Sequence, residues 1–321
     1  MKPKILISRQ VFPQIVSELS AHFDVDHNES DDILSAEALR ARAAGCAALM
    51  CCLTEKIDAA FFDACPTVKV VSNIAVGYNN IDVAEATKRG VMATNTPGVL
   101  DDTTADLTFA LLMATARRIT ETEARLRRGE WKKGFALQQW LGCDVHHAKL
   151  GIIGMGRIGQ TIARRASGFD MQVAYYNRKQ LDATTEAKLN VRYASKEAVL
   201  RESDFVVVMV PYSKDTHHLI GAAELALMKP SAIFINTARG GVADDLALLA
   251  ALKEKRIAGA GLDVFENEPA LHPDFLSLEN VVLTPHIGSA THATRMNMAK
   301  LAALNLTEAL NGQRPPNLIN P

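Results

Sequence analysis

Short apolar runs alternate with amphipathic stretches of helical length along the whole chain, and each change of period is marked by glycine, proline or a small polar residue. In the first third, the runs at 4–8, 24–28, 47–52, 68–75 and 91–96 read as strands, and 12–23, 35–44, 56–65 and 82–89 read as helices, with Gly45 ending the second. Such alternation predicts a parallel sheet with helices on both faces. Pro97-Gly98 closes this series, and Asp101, Asp102 and Thr103 then cap a predicted long helix running to about residue 128, ended by Gly129, long enough to bridge two domains. A second series starts at Lys149, with strands near 171–177, 204–210, 232–237, 259–265 and 280–284 and helical segments such as 244–256. Residues 290–310 are helical again, and 312–321 form a polar, proline-bearing tail. The fold class is therefore α/β, with two doubly wound parallel-sheet domains.

The second series opens on a motif. Leu150, Ile152 and Ile153 read as a buried strand that breaks into Gly154-Met-Gly156-Arg157-Ile158-Gly159, spaced G-x-G-x-x-G. In a strand-to-helix context the first glycine permits a tight turn, the second lets backbone approach a pyrophosphate, and the third lets the helix pack on the sheet. The first amides of that helix have no intrahelical partner and lie at its positive end, which suits a phosphate pair. After Gly159, Ile162, Ala163, Ala166 and Phe169 continue from Ile158 at helical spacing, so the context is met and the domain is Rossmann-like. The first series has no such fingerprint.

Length and charge change little in this picture. At 321 residues there is chain for two well-buried cores, and 35 basic against 36 acidic residues give a net charge of -1, with no footprint for nucleic acid or an anionic membrane. The opening Met-Lys-Pro-Lys-Ile-Leu-Ile-Ser is too short in its apolar run for a signal peptide, and nowhere do about eighteen apolar residues run together to span a bilayer, so a cytoplasmic protein is expected. Cys46, Cys51, Cys52, Cys65 and Cys143 lack paired C-x-x-C spacing, and adjacent His146 and His147 after Asp144 rarely converge on one ion, so no metal site is expected.

Candidate chemistry gathers where strands of the second series end. Arg239 follows Ile-Asn-Thr-Ala, Glu268 lies in Asp263-Val-Phe-Glu-Asn-Glu-Pro, and His286 lies in Leu-Thr-Pro-His-Ile-Gly. Open parallel sheets bind ligands at those ends. Reducing a 2-keto acid requires a hydride donor, a proton for the carbonyl oxygen and a cation for the carboxylate; a histidine with a carboxylate partner and an arginine supply the last two. Singly, such a histidine can cap a turn and such an arginine can be a surface charge, but at successive strand ends of one dinucleotide fold they read together. His22, His27, His217, His218 and His292 have no comparable context and read as surface or packing residues.

Gly-Met-Gly-Arg-Ile-Gly, Asn-Thr-Ala-Arg-Gly, Gly-Leu-Asp-Val-Phe-Glu-x-Glu-Pro and Thr-Pro-His-Ile-Gly-Ser-Ala-Thr, in this order, resemble the D-isomer-specific 2-hydroxyacid dehydrogenases. Through Val76-Gly-Tyr-Asn-Asn-Ile-Asp82 and Asp144-Val-His-His the chain is most similar to the glyoxylate/hydroxypyruvate reductase and 2-ketogluconate (2-ketoaldonate) reductase branch. The resemblance implies a discontinuous substrate domain, 1–98 with 289–321, a cofactor domain at 99–288, an active site in the interdomain cleft and a homodimer. It implies His286 as general acid, Glu268 as its partner, and Arg239 as the group that binds the substrate's carboxylate and carbonyl. Leu53 and the amides of Val76 and Gly77 would also meet substrate. Asp263 would hold the nicotinamide carboxamide, and Thr104, Val210, Pro211, Thr237, Ala238 and Gly288 would line the cofactor. Trp140 resembles a tryptophan that reaches a neighbouring subunit's active site in hydroxypyruvate reductases, and core packing is the other reading.

Two departures bear on specificity. The strand 173–177 ends in Asn177, where an NAD-specific enzyme usually places an acidic residue for the ribose hydroxyls, and Arg178 and Lys179 follow it. A site without the carboxylate and with two cations favours a 2′-phosphate, so NADP(H) is expected over NAD(H), which remains possible. Asn79 stands where the family more often has aspartate, and a loop change is expected there. Some relatives of this fold are nucleotide-sensing corepressors and others are formate or phosphite dehydrogenases; the branch motifs favour a keto-acid reductase.

Overall fold

The structure, a computed structural model, describes residues 2–321, which form two compact units, one of residues up to Leu100 together with Ala290–Pro321, the other Asp101–Ser289. In the first unit the order is β1 (Lys4–Ile7), α1 (Pro13–His22), β2 (Asp24–His27), α2 (Ala36–Ala43), β3 (Ala48–Cys51), α3 (Ala59–Ala64), β4 (Val70–Asn73), α4 (Val83–Lys88) and β5 (Met92–Thr94). The strands form one parallel sheet in the order β2-β1-β3-β4-β5. Helix starts are set by side chains that accept a first-turn amide: Ser35 from Ala38, Asp58 from Phe61 and Asp82 from Glu85. Leu39, Phe61, Phe62 and Ile81 pack on one face of the sheet, and Ile15, Leu19 and Leu306 on the other.

The second unit carries α5 (Asp101–Ala116), α6 (Ile119–Arg127), β6 (Lys149–Ile153), α7 (Arg157–Ala166), β7 (Gln172–Tyr176), α8 (Ala183–Leu189), β8 (Val191–Tyr193), α9 (Lys196–Glu202), β9 (Phe205–Val208), α10 (Ala222–Leu225), β10 (Ile233–Asn236), α11 (Asp245–Lys253), β11 (Gly259–Leu262) and β12 (Val281–Leu283). Its seven strands lie parallel in the order β12-β11-β10-β9-β6-β7-β8. The order reverses between β6 and β9, the switch point where such sheets open a crevice. Strands β9, β10 and β11 are buried throughout. The edge strand β8 is three residues long and half exposed, and so short a run shows no period by which the sequence could reveal it.

Two expectations are corrected. The single helix expected over 101–128 is two: Arg118 takes φ +54 between α5 and α6, and the Ala116 carbonyl accepts the Cys143 amide (2.9 Å). Returning chain also crowds that end, since a Cβ on Gly142 would lie 2.3 Å from the Ala116 oxygen. Asp101 and Asp102 accordingly sit in the first turn of α5. The tail is tied down as well. After α12 (His292–Leu310), which returns to the first unit, Leu318 bridges Thr94 antiparallel, and Asn320 Oδ1 accepts the Ala93 amide (2.8 Å), covering edge strand β5. Among the described residues no helix is long and apolar enough to cross a membrane.

Candidate active site

The glycine turn after β6 divides its labour as the spacing suggests. Gly154, at φ +108, has no room for a side chain: a Cβ there would lie 2.4 Å from the Met209 oxygen and 2.8 Å from Val210 Cγ1. Gly159 would meet the Gly154 oxygen at 2.3 Å, so it brings α7 against the strand. Gly156 is the N-cap of α7, and a Cβ there would meet no atom within 4 Å. Space in front of a bare backbone at a helix N-terminus fits a dinucleotide's phosphates. Arg157 lies exposed beside Ile158 in the first turn, its Nε 3.4 Å from Asp101 Oδ2.

Asn177, just past β7, turns back to the glycine loop, its Oδ1 accepting the Met155 amide at 2.7 Å. Its neutral amide braces the turn and sets no carboxylate beside it. Arg178 and Lys179 are exposed, and among the described residues neither pairs with a carboxylate. On the other side of the crevice Thr237 is buried and shares a hydrogen bond with Thr108 (2.7 Å), Ala238 is buried, and Thr104 lies beneath Gly288. Val210 is half-buried and Pro211 exposed.

Asp263 organises the loop that bears His286. Its Oδ1 accepts Thr284 Oγ1 and the Ile287 amide, both at 2.7 Å, its Oδ2 accepts the Gly288 amide at 2.8 Å, and its carbonyl takes the His286 amide at 2.9 Å. Gathering successive amides onto one residue holds His286 at φ +53, a left-handed conformation that side chains rarely adopt. Burial raises the Asp263 carboxyl above its ordinary range despite these donors.

His286 Nδ1 lies 2.7 Å from Glu268 Oε2, and Glu268 Oε1 accepts the Phe265 amide at 2.9 Å. Burial pushes the Glu268 carboxyl up, but the bond and charge of His286, the Phe265 amide and Arg239 outweigh it and hold the group below its usual value. An ionised carboxylate only accepts, so Nδ1–H of His286 donates and Nε2 is the nitrogen left to exchange a proton.

Arg239 approaches this pair because of its neighbour. A Cβ on Gly240 would lie 1.7 Å from the Phe265 oxygen, so only glycine lets the loop after β10 touch the loop after β11. Asn236 braces the Arg239 loop, Oδ1 accepting the Ala238 amide (3.1 Å) and Nδ2 donating to the Arg239 oxygen (3.2 Å). Arg239 Nη1 donates to the Ala238 oxygen, while its Nε is buried with no acceptor among the described residues. Burial lowers the pKa of this guanidinium against the pull of Glu268 and Asp263, yet an arginine stays charged. A buried donor of this kind calls for an anionic partner.

In the first unit, Asn95 and Asn73 hold the carbonyls of Val76 and Gly77 (2.8 and 2.9 Å), while the amides of both residues donate to no acceptor among the described residues. Leu53 is half-buried on the turn whose Cys52 amide donates to Glu55 Oε2 (2.7 Å), and Tyr78 and Asn79 are exposed. Trp140 is half-buried at φ +53. Among the described residues no cluster of histidine, cysteine, aspartate or glutamate is placed to hold a metal ion.

Sequence reasoning missed a carboxylate layer behind the site. Asp245 is 7% exposed and accepts the Glu266 amide at 3.0 Å. Burial pushes its carboxyl up to about 6, with Glu266 and Asp244 adding to the shift. A folded-state pKa above the unfolded one favours the native state at low pH, and that stability is lost as pH rises through about 6. Asp245→Asn keeps the acceptor without the charge. Its stability relative to the parent should rise by about 1 kcal/mol between pH 5 and pH 8 in urea titrations; a difference that is flat or falls with pH would refute this.

Comparisons with known proteins show the family and the fold. The family model for the D-isomer specific 2-hydroxyacid dehydrogenase, NAD binding domain, matches residues 109–288. A glyoxylate reductase of Thermococcus onnurineus is 50% identical, with 100% of this chain and 96% of the relative aligned. A glyoxylate/hydroxypyruvate reductase B of Klebsiella pneumoniae is 45% identical over 100% of this chain and 99% of the relative. An NADPH-dependent glyoxylate/hydroxypyruvate reductase of Sinorhizobium meliloti, solved in complex with NADP and malonate, superposes with a TM-score of 0.87 at 32% identity, covering 99% of this chain and 97% of that one. Its two parallel sheets, its nucleotide turn and these likenesses along its whole length establish that the chain belongs to the D-isomer-specific 2-hydroxyacid dehydrogenase family and is an oxidoreductase of that kind.

Proposed function

We propose that the chain is an NADPH-preferring reductase that takes glyoxylate, hydroxypyruvate or 2-ketogluconate to the 2-hydroxy acid, of D configuration where C2 becomes chiral. The observation that carries this reading is the buried Arg239 Nε without an acceptor, set beside the His286–Glu268 pair. That is a cation for a carboxylate next to a proton donor. The names of the relatives support the substrate class.

A bound nicotinamide supplies the hydride for C2. Arg239 holds the carboxylate and draws the carbonyl oxygen through charge-assisted bonds. His286 gives its Nε2 proton to that oxygen, and Glu268, ionised throughout, fixes the ring and balances its charge. Leu53, Val76 and Gly77 are the first unit's substrate candidates. For the cofactor, the bare backbone from Gly154 to Gly159 takes the phosphates, Thr104, Val210, Pro211, Thr237, Ala238 and Gly288 line the rest, and Asp263 Oδ2 keeps one lone pair for the carboxamide.

Neutral Asn177, with Arg178 and Lys179 paired to no carboxylate among the described residues, supports the preference for a 2′-phosphate. Initial rates with NADPH and NADH against the three keto acids test both parts of the reading. Arg178→Ala/Lys179→Ala should raise KM for NADPH about tenfold or more and leave NADH within about twofold. Failure to turn over any keto acid would sink the substrate class, and equal coenzyme effects would sink the coenzyme assignment.

We infer a homodimer from the segment 119–141, where Leu126, Trp131, Phe135, Leu137 and Leu141 are exposed, Phe135 by 88% and Leu137 by 81%. Light scattering should give twice the chain mass, reduced to one chain by Phe135→Asp/Leu137→Asp. A monomeric parent protein would overturn this.

A further inference from the structure

Besides the close approach of Gly240 to Phe265, the loops carrying Arg239 and Glu268 are both bonded by His218, which lies outside the reacting groups. His218, in the turn after β9, takes φ +50 and gives its amide to the Gly241 oxygen (2.8 Å), on the Arg239 loop. The same residue reaches the other loop with its ring, Nε2 lying 2.5 Å from Glu266 Oε1. Glu266 is two positions before Glu268. The ring is held from behind: it stacks on His217 at 3.9 Å between centroids, His217 Nδ1 meets the Tyr212 hydroxyl (3.2 Å), and His218 Nδ1 stands 3.8 Å from Asp244 Oδ2. Beyond it the backbone pairs again, Ile220 with Val242 and Asp244 with Ile220.

These two contacts differ in what else supports each loop. Arg239 is braced within its own loop by Asn236 and by the bond from its Nη1 to Ala238. The Glu268 loop has one internal brace, Glu268 Oε1 accepting the Phe265 amide, and its Glu266 is fixed from outside the loop, by its amide on Asp245 and by its carboxylate on His218. We propose that His218 is a positioning residue, whose side chain clamps Glu266 and so holds Glu268 where it can orient His286 for proton transfer. His218 acts through Glu266 and Glu268 and touches neither substrate nor cofactor. The proposal rests on the reductase reading for its kinetic consequence and on the loop geometry alone for its structural one.

The first consequence is a division between kcat and KM. Losing the clamp misaligns the proton donor's partner while Arg239 keeps its own brace. For His218→Ala we expect kcat to fall about tenfold or more while KM for the keto acid changes less than about threefold. His218→Gln presents an amide N–H near the position of Nε2, and should recover kcat to within about threefold of the parent. A residue needed only for stability would lower the melting temperature without that division and without rescue. The second consequence is read without any substrate. Amide hydrogen exchange at Phe265 and Glu266 should quicken about tenfold in His218→Ala and return in His218→Gln, while Ile287 and Gly288, held by Asp263, exchange as before.

Exchange unchanged at Phe265 and Glu266, or an alanine variant with parental kcat, would overturn the clamp. Should the parent protein turn over none of the three keto acids, the reductase reading fails, and the exchange result still decides the clamp. Should the alanine variant not fold, the same exchange and rate measurements on Glu266→Ala, which removes the acceptor that His218 holds, decide it. A slower kcat and faster exchange there support the clamp, and parental values refute it.

Discussion

His286→Ala is expected to lower kcat about a thousandfold, with NADPH affinity within about twofold of the parent. The ring's Nδ1–H is committed to Glu268, so Nε2 is its one nitrogen able to deliver a proton. Glu268→Gln should be milder, about tenfold, because an amide oxygen still accepts from Nδ1 but no longer balances the charge of the protonated ring. The ordering of the two variants separates proton delivery from ring orientation. The glycine turn and Asn177 hold one another without His286, so coenzyme binding measured by fluorescence should survive both changes. A loss of less than about tenfold in His286→Ala would remove the histidine from the proton-transfer step.

What could be read from the sequence divides along a physical line. Features fixed by neighbours along the chain were legible: Gly154, Gly156 and Gly159 have the tight turn, the open face and the close packing that their spacing implies. The strand-end positions of Arg239, Glu268 and His286 were equally open to reading, because apolar runs mark where strands stop. Features fixed by distant chain were not. The break at Arg118 depends on Cys143 returning to the end of α5, and nothing in Arg117-Arg118 announces it. His218 reads as a surface histidine until the loop carrying Glu266 is folded beside it. Asn236 lay within reach, since an asparagine at a strand end with small residues after it often bonds its own turn. Asp263 was expected to face the nicotinamide; its three side-chain bonds within the loop are an added role that builds the conformation of His286.

Gly240→Ala and Gly156→Ala together should separate the part of the site that is packing from the part that is ligand. Both residues can accept alanine as far as φ is concerned, since neither has a positive value, so space alone decides. At Gly240 the new carbon would lie 1.7 Å from the Phe265 oxygen, a backbone atom that cannot rotate away. The two loops must part by more than an ångström, which overpacking data place at about 2–3 kcal/mol, or a melting temperature about 5–10 °C lower. That parting carries Arg239 away from Glu268 and His286, so kcat/KM should fall about a hundredfold even where the variant is folded. At Gly156 the new carbon meets no protein atom within 4 Å. The apo variant should therefore melt within about 1 °C of the parent, while its NADPH affinity falls about tenfold or more as the methyl enters the space meant for the pyrophosphate. A Gly240→Ala protein that keeps both its melting temperature and its kcat/KM would mean that the two loops are not in the contact described. A Gly156→Ala protein that binds NADPH as tightly as the parent would mean that the dinucleotide does not lie over this turn.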